Sequence, residues 1–468
     1  MAAGNEHQTQ VTPNPYSRRI AQFTSSLTYD KIPEEVRQRI KLLILDSIGC
    51  GVYGSCKEHS KMVIQAISGT DTSPTCGLWG TKQRASAPHA ALVNGTLIQS
   101  FELDDIHRKG AMHIGSTTLP AINAIAESRP GMTGKRFMTA AVAGYEIGPR
   151  VGICESNLLG DGWHSGAVIG VFSGAASAAS ALGLSEEKTL HTLGIAGTMA
   201  SGLMAAQYGS MVKRMQHGRG AQAGVYGALL ADTGFTGIEN VFESEYGGFC
   251  TTFSRSKDRF DIKQLTDGLG ERWETMLDSL KFYSAAASNH TTLDAIRIMR
   301  EKRPFTIDEL DKIVVHGSQV TKDHVFWKYE NTGTTNAQFC MPYVVATLLL
   351  EGDFMVDQVR DVMLGDPERI AVSQKVNFIA EPEITKMGLR YYVRVEIFLK
   401  DGTRMEETIE AQRGSETRFA SEADVVRKFE MLVKHVFPDN QVAQIRDTIL
   451  GLDKLDDAAK LAKLLTAQ

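Results

Sequence analysis

Apolar residues recur at helical spacing along most of the first 280 residues. The segment 33–54 begins with Pro33 and two glutamates, which suit a helix N-terminus, and its apolar residues return every three or four positions until Gly49 and Gly51 end the helix. Comparable patterns, separated by short glycine-bearing loops, predict helices over 88–99, 121–128, 135–151, 164–182, 186–205 and 221–232. Strand patterns are almost absent before residue 300, so this part of the chain is predicted to be all-helical.

The pattern changes near residue 280. Residues 312–317 form a compact β-branched run, and residues 391–399 alternate between apolar and polar side chains. Asp401-Gly402 follows, and a second alternating run covers 404–410, which together indicate a β-hairpin. Helical patterns cover 336–350, 421–435 and 440–465.

Length and pattern together predict two domains. Single hydrophobic cores stop growing near roughly 250–300 residues, and this chain has 468. We expect a mostly α fold, in which residues 16–280 together with 411–468 form a large all-helical domain and residues 281–410 form a smaller α+β domain. Residues 1–15 are polar and contain two prolines, so a flexible N-terminal arm is expected.

Composition and charge exclude several classes of partner. The formal charge of −5 disfavours nucleic acid and anionic membranes, which attract basic proteins. Residues 165–185 carry no charge over a length that could cross a bilayer, but they are rich in Gly, Ala and Ser. Transfer of such residues into lipid gains little, so a buried helix is the favoured interpretation and no membrane partner is expected.

The six cysteines are scattered without a C-x-x-C pair. This spacing fits neither a disulfide framework nor a structural zinc or iron–sulfur site, and it favours a reducing compartment. The first twenty residues show neither the apolar core of a secretory signal nor the arginine-rich pattern of a transit peptide. We therefore expect a cytoplasmic protein, with a mitochondrial location as the alternative.

Titratable residues are concentrated in a few short segments. The segment 101–115, FELDDIHRKGAMHIG, contains three acids and two histidines on a predicted loop: Glu102, Asp104, Asp105, His107 and His113. Such a density favours acid–base chemistry over a plain surface loop. A metal site is the alternative, but the histidine spacing matches no familiar zinc pattern.

Two further segments add cations and imidazoles. His164 opens the predicted charge-free helix, whose N-terminus suits a carboxylate, although packing beside Trp163 explains it equally well. Lys213, Arg214 and His217 lie close together on a predicted loop between segments of buried character. A solvated basic loop is the alternative there, but partly enclosed cations need an anion, and a substrate carboxylate would supply it.

Two further residues are candidates for the site, and several known catalytic and cofactor-binding motifs are missing. Lys281 stands where the α+β pattern begins and Tyr343 lies in a predicted helix, positions that a hinge and an ordinary core residue would also explain. The chain lacks a dinucleotide-binding G-x-G-x-x-G fingerprint, H-E-x-x-H and G-x-S-x-G. We therefore expect proton transfer by side chains, without a cofactor or metal.

The segments LLILDSIGCGVYG (42–54), FELDDIH (101–107), DGWHSGAVIG (161–170) and QYGSMVKRMQHGRGAQAG (207–224) together resemble the MmgE/PrpD family. This family includes 2-methylcitrate dehydratase and cis-aconitate decarboxylase. The resemblance implies a large helical domain and a smaller α+β lid, usually in a homodimer, with the pocket between the domains. Carried over motif by motif, it implies site residues at the acids of 102–105, His113, His164, Lys213, Lys281 and Tyr343.

The sequence departs from the family pattern at a few positions. A further active-site histidine of the mammalian decarboxylases falls near Ala286. In the segment 101–107, a threonine of the family is replaced by Ile106. The spacing from the acids of this segment to His113 is one residue longer than in the family.

The activity expected from these residues is a lyase reaction on a small polycarboxylate. In our interpretation His113, His164, Lys213, Lys281 and Tyr343 are catalytic, while Glu102, Asp104, Asp105, His107, Arg214 and His217 bind substrate. Cations in a sheltered cleft would stabilise the charge that develops next to a carboxylate. Metal-free dehydration of a citrate or 2-methylcitrate-type acid is ranked first. Itaconate-forming decarboxylation of cis-aconitate, epimerisation of a dicarboxylate and a non-catalytic carboxylate-binding homologue are the alternatives.

Overall fold

The computed structural model describes residues 15–208 and 210–467 and is mostly helical. Up to residue 278 the chain forms eleven α-helices in the described residues: α1 (Pro15–Ser26), α2 (Glu34–Gly54), α3 (Glu58–Ser68), α4 (Ala87–Ile98), α5 (Gly115–Ser128), α6 (Gly134–Cys154), α7 (Ser165–Val168), α8 (Gly170–Leu182), α9 (Glu186–Gly197), α10 (Val212–Asp232) and α11 (Phe249–Phe253). Four two-residue strands accompany them: β1 (Cys76–Gly77), β2 (Arg84–Ala85), β3 (Ile106–His107) and β4 (Asp278–Ser279). The predicted arm 1–15 lies outside the described residues except for Pro15.

Helix α10 is the largest departure from the predicted helix bounds. It begins at Val212 rather than at residue 221, so the basic segment that was predicted to be a loop forms the first turns of a helix. The glycines that suggested a loop permit close packing instead: a Cβ on Gly218 would lie 2.0 Å from the backbone oxygen of Leu92 in α4. Tertiary packing here overrides the low helix propensity of glycine.

The uncharged segment 165–185 is divided between α7 and α8. His164 is the N-cap of the four-residue α7, and α8 begins at Gly170 with nearly every residue buried. The predicted single helix over 164–182 is therefore wrong in its bounds, while the expectation of a buried helix is confirmed. Within the described residues, no helix has both the length and the apolar character required to span a bilayer.

The middle of the chain combines a sheet with short helices. Its elements are α12 (Ala287–Lys302), β5 (Leu310–Gly317), α13 (Gln319–Val325), α14 (Thr334–Phe339), α15 (Met341–Glu351), α16 (Pro367–Ser373), β6 (Val376–Ala380), α17 (Pro382–Lys386), β7 (Val393–Leu399) and β8 (Arg404–Ile409). The strands have the order β6-β5-β7-β8, with β6 parallel to β5 and the other pairs antiparallel. The predicted hairpin is confirmed in β7 and β8, where Val395 pairs with Glu407.

Two details of this region differ from the prediction. The helix expected over 336–350 is divided at Cys340, because Pro342 has no N–H to donate and its ring would clash with the carbonyl four residues earlier. Strand β6 was not predicted, since its five residues offer too short an alternation to stand out.

The C-terminal segment is helical again, in α18 (Glu422–Val433), α19 (Asp439–Leu450) and α20 (Ala459–Leu464). Helix α18 packs on α2, and the contact contains a fully buried ion pair in which Lys428 Nζ lies 2.6 Å from Asp46 Oδ1. Burial raises the pKa of Asp46 to about 6 despite the opposing charge of Lys428.

The chain divides into two compact units. The first contains the described residues up to Ser100, Asp104–Asp278 and those from Glu422 onward, and the second contains Phe101–Leu103 and Ser279–Ser421. The first unit is the helical one, and the second has its own hydrophobic core between the sheet and helices α12 and α15.

Replacing Lys428 by methionine should destabilise the helical unit by about 3–5 kcal/mol, because it leaves the Asp46 carboxyl buried without its cation. The midpoint of urea unfolding, followed by circular dichroism, measures the change. The double variant Asp46→Asn/Lys428→Met should recover most of the loss, since neither charge remains. A single variant as stable as the parent chain would show that the pair does not stabilise this contact.

Candidate active site

The histidine-rich segment after α4 forms a tight hairpin. His107 and Met112 pair through two backbone hydrogen bonds of 2.8 and 3.2 Å. Ala111, in the turn, has a φ of 49°, a left-handed conformation that few non-glycine residues adopt. The hairpin places Asp104 and Asp105 before it and His113 directly after it, at the entry to α5.

Asp105 anchors this hairpin to the helical unit. Its carboxylate accepts the hydroxyl of Tyr145 in α6 at 2.6 Å and the backbone N–H of Gly115 at 3.1 Å. The residue is fully buried, and burial together with the negative charge of Asp104 raises the pKa of Asp105. These contacts position the hairpin, and the substrate-binding role predicted for Asp105 stays a prediction.

His113 is held by its Nδ1 atom. Nδ1 lies 2.8 Å from the backbone oxygen of Asp105 and 3.2 Å from a carboxylate oxygen of Asp104. Because a carbonyl oxygen only accepts, Nδ1 must carry a proton in the neutral and the charged imidazole alike. In the neutral imidazole, Nε2 is therefore the nitrogen that carries no proton.

Three imidazoles lie in a row. The ring of His217 meets His113 edge to face with a centroid distance of 5.3 Å and meets His164 in the same way at 5.1 Å. The close approach to α7 depends on Gly166, because a Cβ there would lie 2.4 Å from the His217 ring. Three distant sequence motifs therefore converge within the helical unit.

The cations of the segment 207–224 lie at the start of α10. Lys213 precedes His217 by four residues, so the two side chains lie on one face of the helix. Arg214 is buried, and its Nη1 donates to the backbone oxygen and to the side-chain oxygen of Gln99, both at 3.2 Å. The guanidinium is thus fixed by the segment that follows α4.

A second buried carboxyl group, that of Asp278, lies near Asp105 in the helical unit. Burial raises the pKa of Asp278 well above its usual range, and the negative charge of Asp105 raises it further. Arg39 donates from its guanidinium to the backbone oxygen of Asp278 at 2.6 Å, and burial lowers the pKa of Arg39. Arg39 thus links α2 to the carboxyl groups beside the hairpin. Neither Arg39 nor Asp278 was predicted as a site residue, because they lie in ordinary helical and loop segments.

His107 contacts a different group. Its Nδ1 accepts the backbone N–H of Gly110 at 3.0 Å, and its Nε2 lies 3.2 Å from Glu274, which is also 3.0 Å from Arg272. Burial alone would raise the pKa of Glu274, but the contact with His107, the charge of Arg150 and the hydrogen bond from Arg272 lower it to about 2. These contacts stabilise the hairpin rather than face the three imidazoles.

Glu102 and Lys281 meet in the second unit. Lys281 Nζ lies 3.4 Å from both Oε2 and the backbone oxygen of Glu102, and both residues are buried. Glu102 has a φ of 61°, a strained conformation of the kind that concentrates at functional sites.

Tyr343 is a core residue of the second unit. Its hydroxyl donates to the backbone oxygen of Met363 at 3.0 Å, and its ring stacks on Tyr329 with a centroid distance of 4.2 Å. Burial raises the pKa of Tyr343. The catalytic roles predicted for Tyr343 and Lys281 stay predictions.

All three histidines of the imidazole cluster were candidates from the sequence, but their arrangement was not predicted. Gly166, Gln99 and Tyr145 were missed, since each acts by shape or by orienting another residue. The i,i+4 spacing of Lys213 and His217 was an available signal for a shared helix face. Within the described residues, two groups have metal-ligand atoms within 4.8 Å of one another, and neither includes the three imidazoles: Cys154, Glu155 and Cys250, and Glu187, His191 and Glu239.

Comparison with known proteins gives matches along nearly the whole chain. The MmgE/PrpD N-terminal domain matches residues 18–261, and the MmgE/PrpD C-terminal domain matches residues 283–454. A cis-aconitate decarboxylase of Aspergillus terreus is 33% identical and covers 95% of each chain. The human cis-aconitate decarboxylase is 26% identical over 93% of this chain and 91% of its own. A 2-methylcitrate dehydratase of Escherichia coli is 22% identical over 88% of this chain and 89% of its own.

Glu274→Gln should destabilise the chain at neutral pH by on the order of 2 kcal/mol, and this difference should shrink as the pH falls below about 4. The carboxylate has a lower pKa in the folded chain than in the unfolded one, so its stabilising contribution is present above the unfolded value and is lost as the pH falls toward the folded value. Urea unfolding of both proteins across this range measures the difference. Glu245→Gln, an exposed control, should change stability little, and a difference for Glu274→Gln that stays constant with pH would contradict the assignment.

Proposed function

Because the chain belongs to the MmgE/PrpD family, we propose that this lyase removes CO₂ from a small unsaturated tricarboxylate of the cis-aconitate type. The observation that carries the proposal is the row of three imidazoles, in which Nδ1 of His113 is fixed and Nε2 is left to exchange the proton.

The higher sequence identity to a decarboxylase than to a dehydratase supports decarboxylation. The relative named cis-aconitate decarboxylase from Aspergillus terreus shares 33% of its residues over almost the full length, whereas the Escherichia coli 2-methylcitrate dehydratase shares 22%. From the sequence alone we expected dehydration first, because the motifs are common to the whole family. We place decarboxylation first here because the decarboxylase relative is more similar to this chain than the dehydratase relative.

The proton balance of decarboxylation assigns a task to the imidazoles. When a tricarboxylate trianion loses CO₂, the carbon–carbon bond breaks and its electron pair stays on the carbon skeleton, conjugated with the double bond. One proton must then be added to carbon, which gives an unsaturated dicarboxylate dianion. An imidazolium is a suitable acid near neutral pH, and we assign this role to Nε2 of His113.

The charged groups around the row suit a polyanionic substrate. Lys213 on the His217 face of α10 provides a point charge for a carboxylate, and the guanidinium of Arg214 is pre-oriented by Gln99. His164 and His217 donate hydrogen bonds when they are protonated, so they can bind a second carboxylate. The carboxylate of Asp104, 3.2 Å from Nδ1 of His113, offsets part of this positive charge.

Dehydration of a 2-methylcitrate-type acid is the second candidate. The same His113 could protonate a leaving hydroxyl, and a relative named as a 2-methylcitrate dehydratase aligns over 88% of this chain. The two reactions differ in proton balance, because dehydration of a tricarboxylate trianion releases water and takes up no net proton.

We expect the purified chain to convert cis-aconitate with release of one CO₂ and uptake of one proton per turnover. A pH indicator in weakly buffered solution measures the proton uptake while a stream of inert gas removes the CO₂ for assay, because hydration of CO₂ to bicarbonate would release the proton again. Citrate and 2-methylcitrate are the parallel substrates. Water loss from 2-methylcitrate without CO₂ release would replace the proposal by dehydration. No turnover of any of the three acids would contradict both.

His113→Asn should lower kcat by roughly 10²–10⁴-fold, the usual contribution of a general acid or base, while the fold is retained. Asparagine can still donate to the backbone oxygen of Asp105, so the substitution removes proton transfer and keeps the anchoring bond. Steady-state kinetics and circular dichroism measure the two effects. His435→Gln, at an exposed histidine of the same unit, is the control and should leave kcat unchanged. Near-parental activity of His113→Asn would remove this residue from the reaction.

A further inference from the structure

Two cysteines that are far apart in the sequence meet inside the helical unit. Cys154 ends α6, Cys250 lies in α11, and their sulfur atoms are 3.8 Å apart. Glu155, the next residue after α6, brings its carboxylate to the same place, and the ligand atoms of the three residues all lie within 4.8 Å of one another. All three side chains are buried.

The chemistry of this group differs from that of the imidazole row. We propose that Cys154, Cys250 and Glu155 form a binding site for a thiophilic divalent cation such as Zn²⁺, separate from the catalytic histidines. The spacing of the cysteines in the sequence does not indicate a metal site, but the fold brings together two of them that are 96 positions apart.

The distance between the sulfur atoms fits tetrahedral coordination. With a zinc–sulfur bond of about 2.3 Å, two ligands of a tetrahedral ion are separated by about 3.8 Å. The sulfur atoms of Cys154 and Cys250 therefore already stand at the spacing that the ion requires. Glu155 would supply the third ligand, and water could occupy the fourth position.

The carboxyl of Glu155 provides the second, independent observation. The residue is 2% exposed, and its Oε1 atom has no hydrogen-bond partner among the described residues. A buried polar atom without a partner is costly and calls for an explanation such as an ion or an ordered water.

A bound cation would link two helices of the helical unit. A cation held by these residues would tie the C-terminal end of α6 to α11. The last turns of α6 also approach the histidine hairpin, because a Cβ on Gly152 would lie 2.0 Å from the backbone oxygen of Gly110. Binding free energy would therefore stabilise the region that supports the hairpin.

Titration of the full-length chain with Cd²⁺ tests the proposal directly. The protein is first treated with a phosphine reductant and a chelator, both of which are then removed. We expect one equivalent of Cd²⁺ to bind with the ultraviolet charge-transfer absorption of cadmium thiolates. Binding should also release about two protons, because thiols must lose their protons to coordinate a metal. The exposed group of Glu187, His191 and Glu239 contains no thiol and cannot produce this absorption.

Matched variants separate this site from other cysteines. Cys154→Ser and Cys250→Ser should abolish the absorption, and Glu155→Gln should weaken binding at least about tenfold while keeping both thiolates. Cys340→Ser removes another buried cysteine and should bind Cd²⁺ like the parent chain. Circular dichroism of each variant verifies the fold, and Glu155→Gln keeps the test decisive if a cysteine variant unfolds.

Two results would overturn the proposal. One is the absence of a thiolate absorption in the parent chain, or its persistence in both cysteine variants. The other is a thiol count of four rather than six in the denatured, unreduced protein with a mapped Cys154–Cys250 disulfide, which would make the pair a covalent crosslink instead of a metal site.

Discussion

The complete burial of Asp104 and Asp105 is the constraint on which the candidate active site depends. Two adjacent carboxyl groups inside a protein are costly unless each finds a partner. Asp105 is compensated by the Tyr145 hydroxyl and the N–H of Gly115, and Asp104 by the imidazole of His113. Because these partners come from α5, α6 and the end of the hairpin, satisfying the two acids fixes the position of His113.

The helices had to pack unusually closely for the three imidazoles to meet. Helix α10 carries His217 and packs on α4 with Gly218 at the contact, and the ring of His217 fits against α7 only because residue 166 is a glycine. Small residues that look like loop or linker signals in the sequence are therefore what permits the site. In the proposed function the histidines supply the chemistry, and the glycines determine the distances between them.

The parts that the sequence predicted well are those with strong local periodicity. The hairpin of β7 and β8, with Asp401-Gly402 at its turn, follows from alternation and turn chemistry alone. The start of α10 could not be predicted from local periodicity. Several glycines within one stretch favour a loop, and the helices that pack against them are not evident from the sequence. The proximity of Cys154 and Cys250 and the contact of His107 with Glu274 depend on long-range packing that no local pattern contains.

The segment 101–115 also shows why residue type alone does not assign a role. Its three acids have three different partners: Glu102 meets Lys281 in the second unit, Asp104 meets His113, and Asp105 meets Tyr145. Its two histidines differ as well, because His107 is enclosed by Gly110 and Glu274 while His113 lies at the end of the imidazole row.

In the proposed decarboxylation, solvent access favours one imidazole as the proton donor. An acid that gives one proton to carbon in every turnover must be recharged from water before the next one. The side chain of His113 is 14% exposed, whereas His217, in the centre of the row, is completely buried. A buried central imidazole is suited to holding a charge or a hydrogen bond, and the partly exposed terminal one is suited to exchanging protons with solvent. The burial pattern therefore favours His113 over His217 as the acid, even though the two rings are in contact.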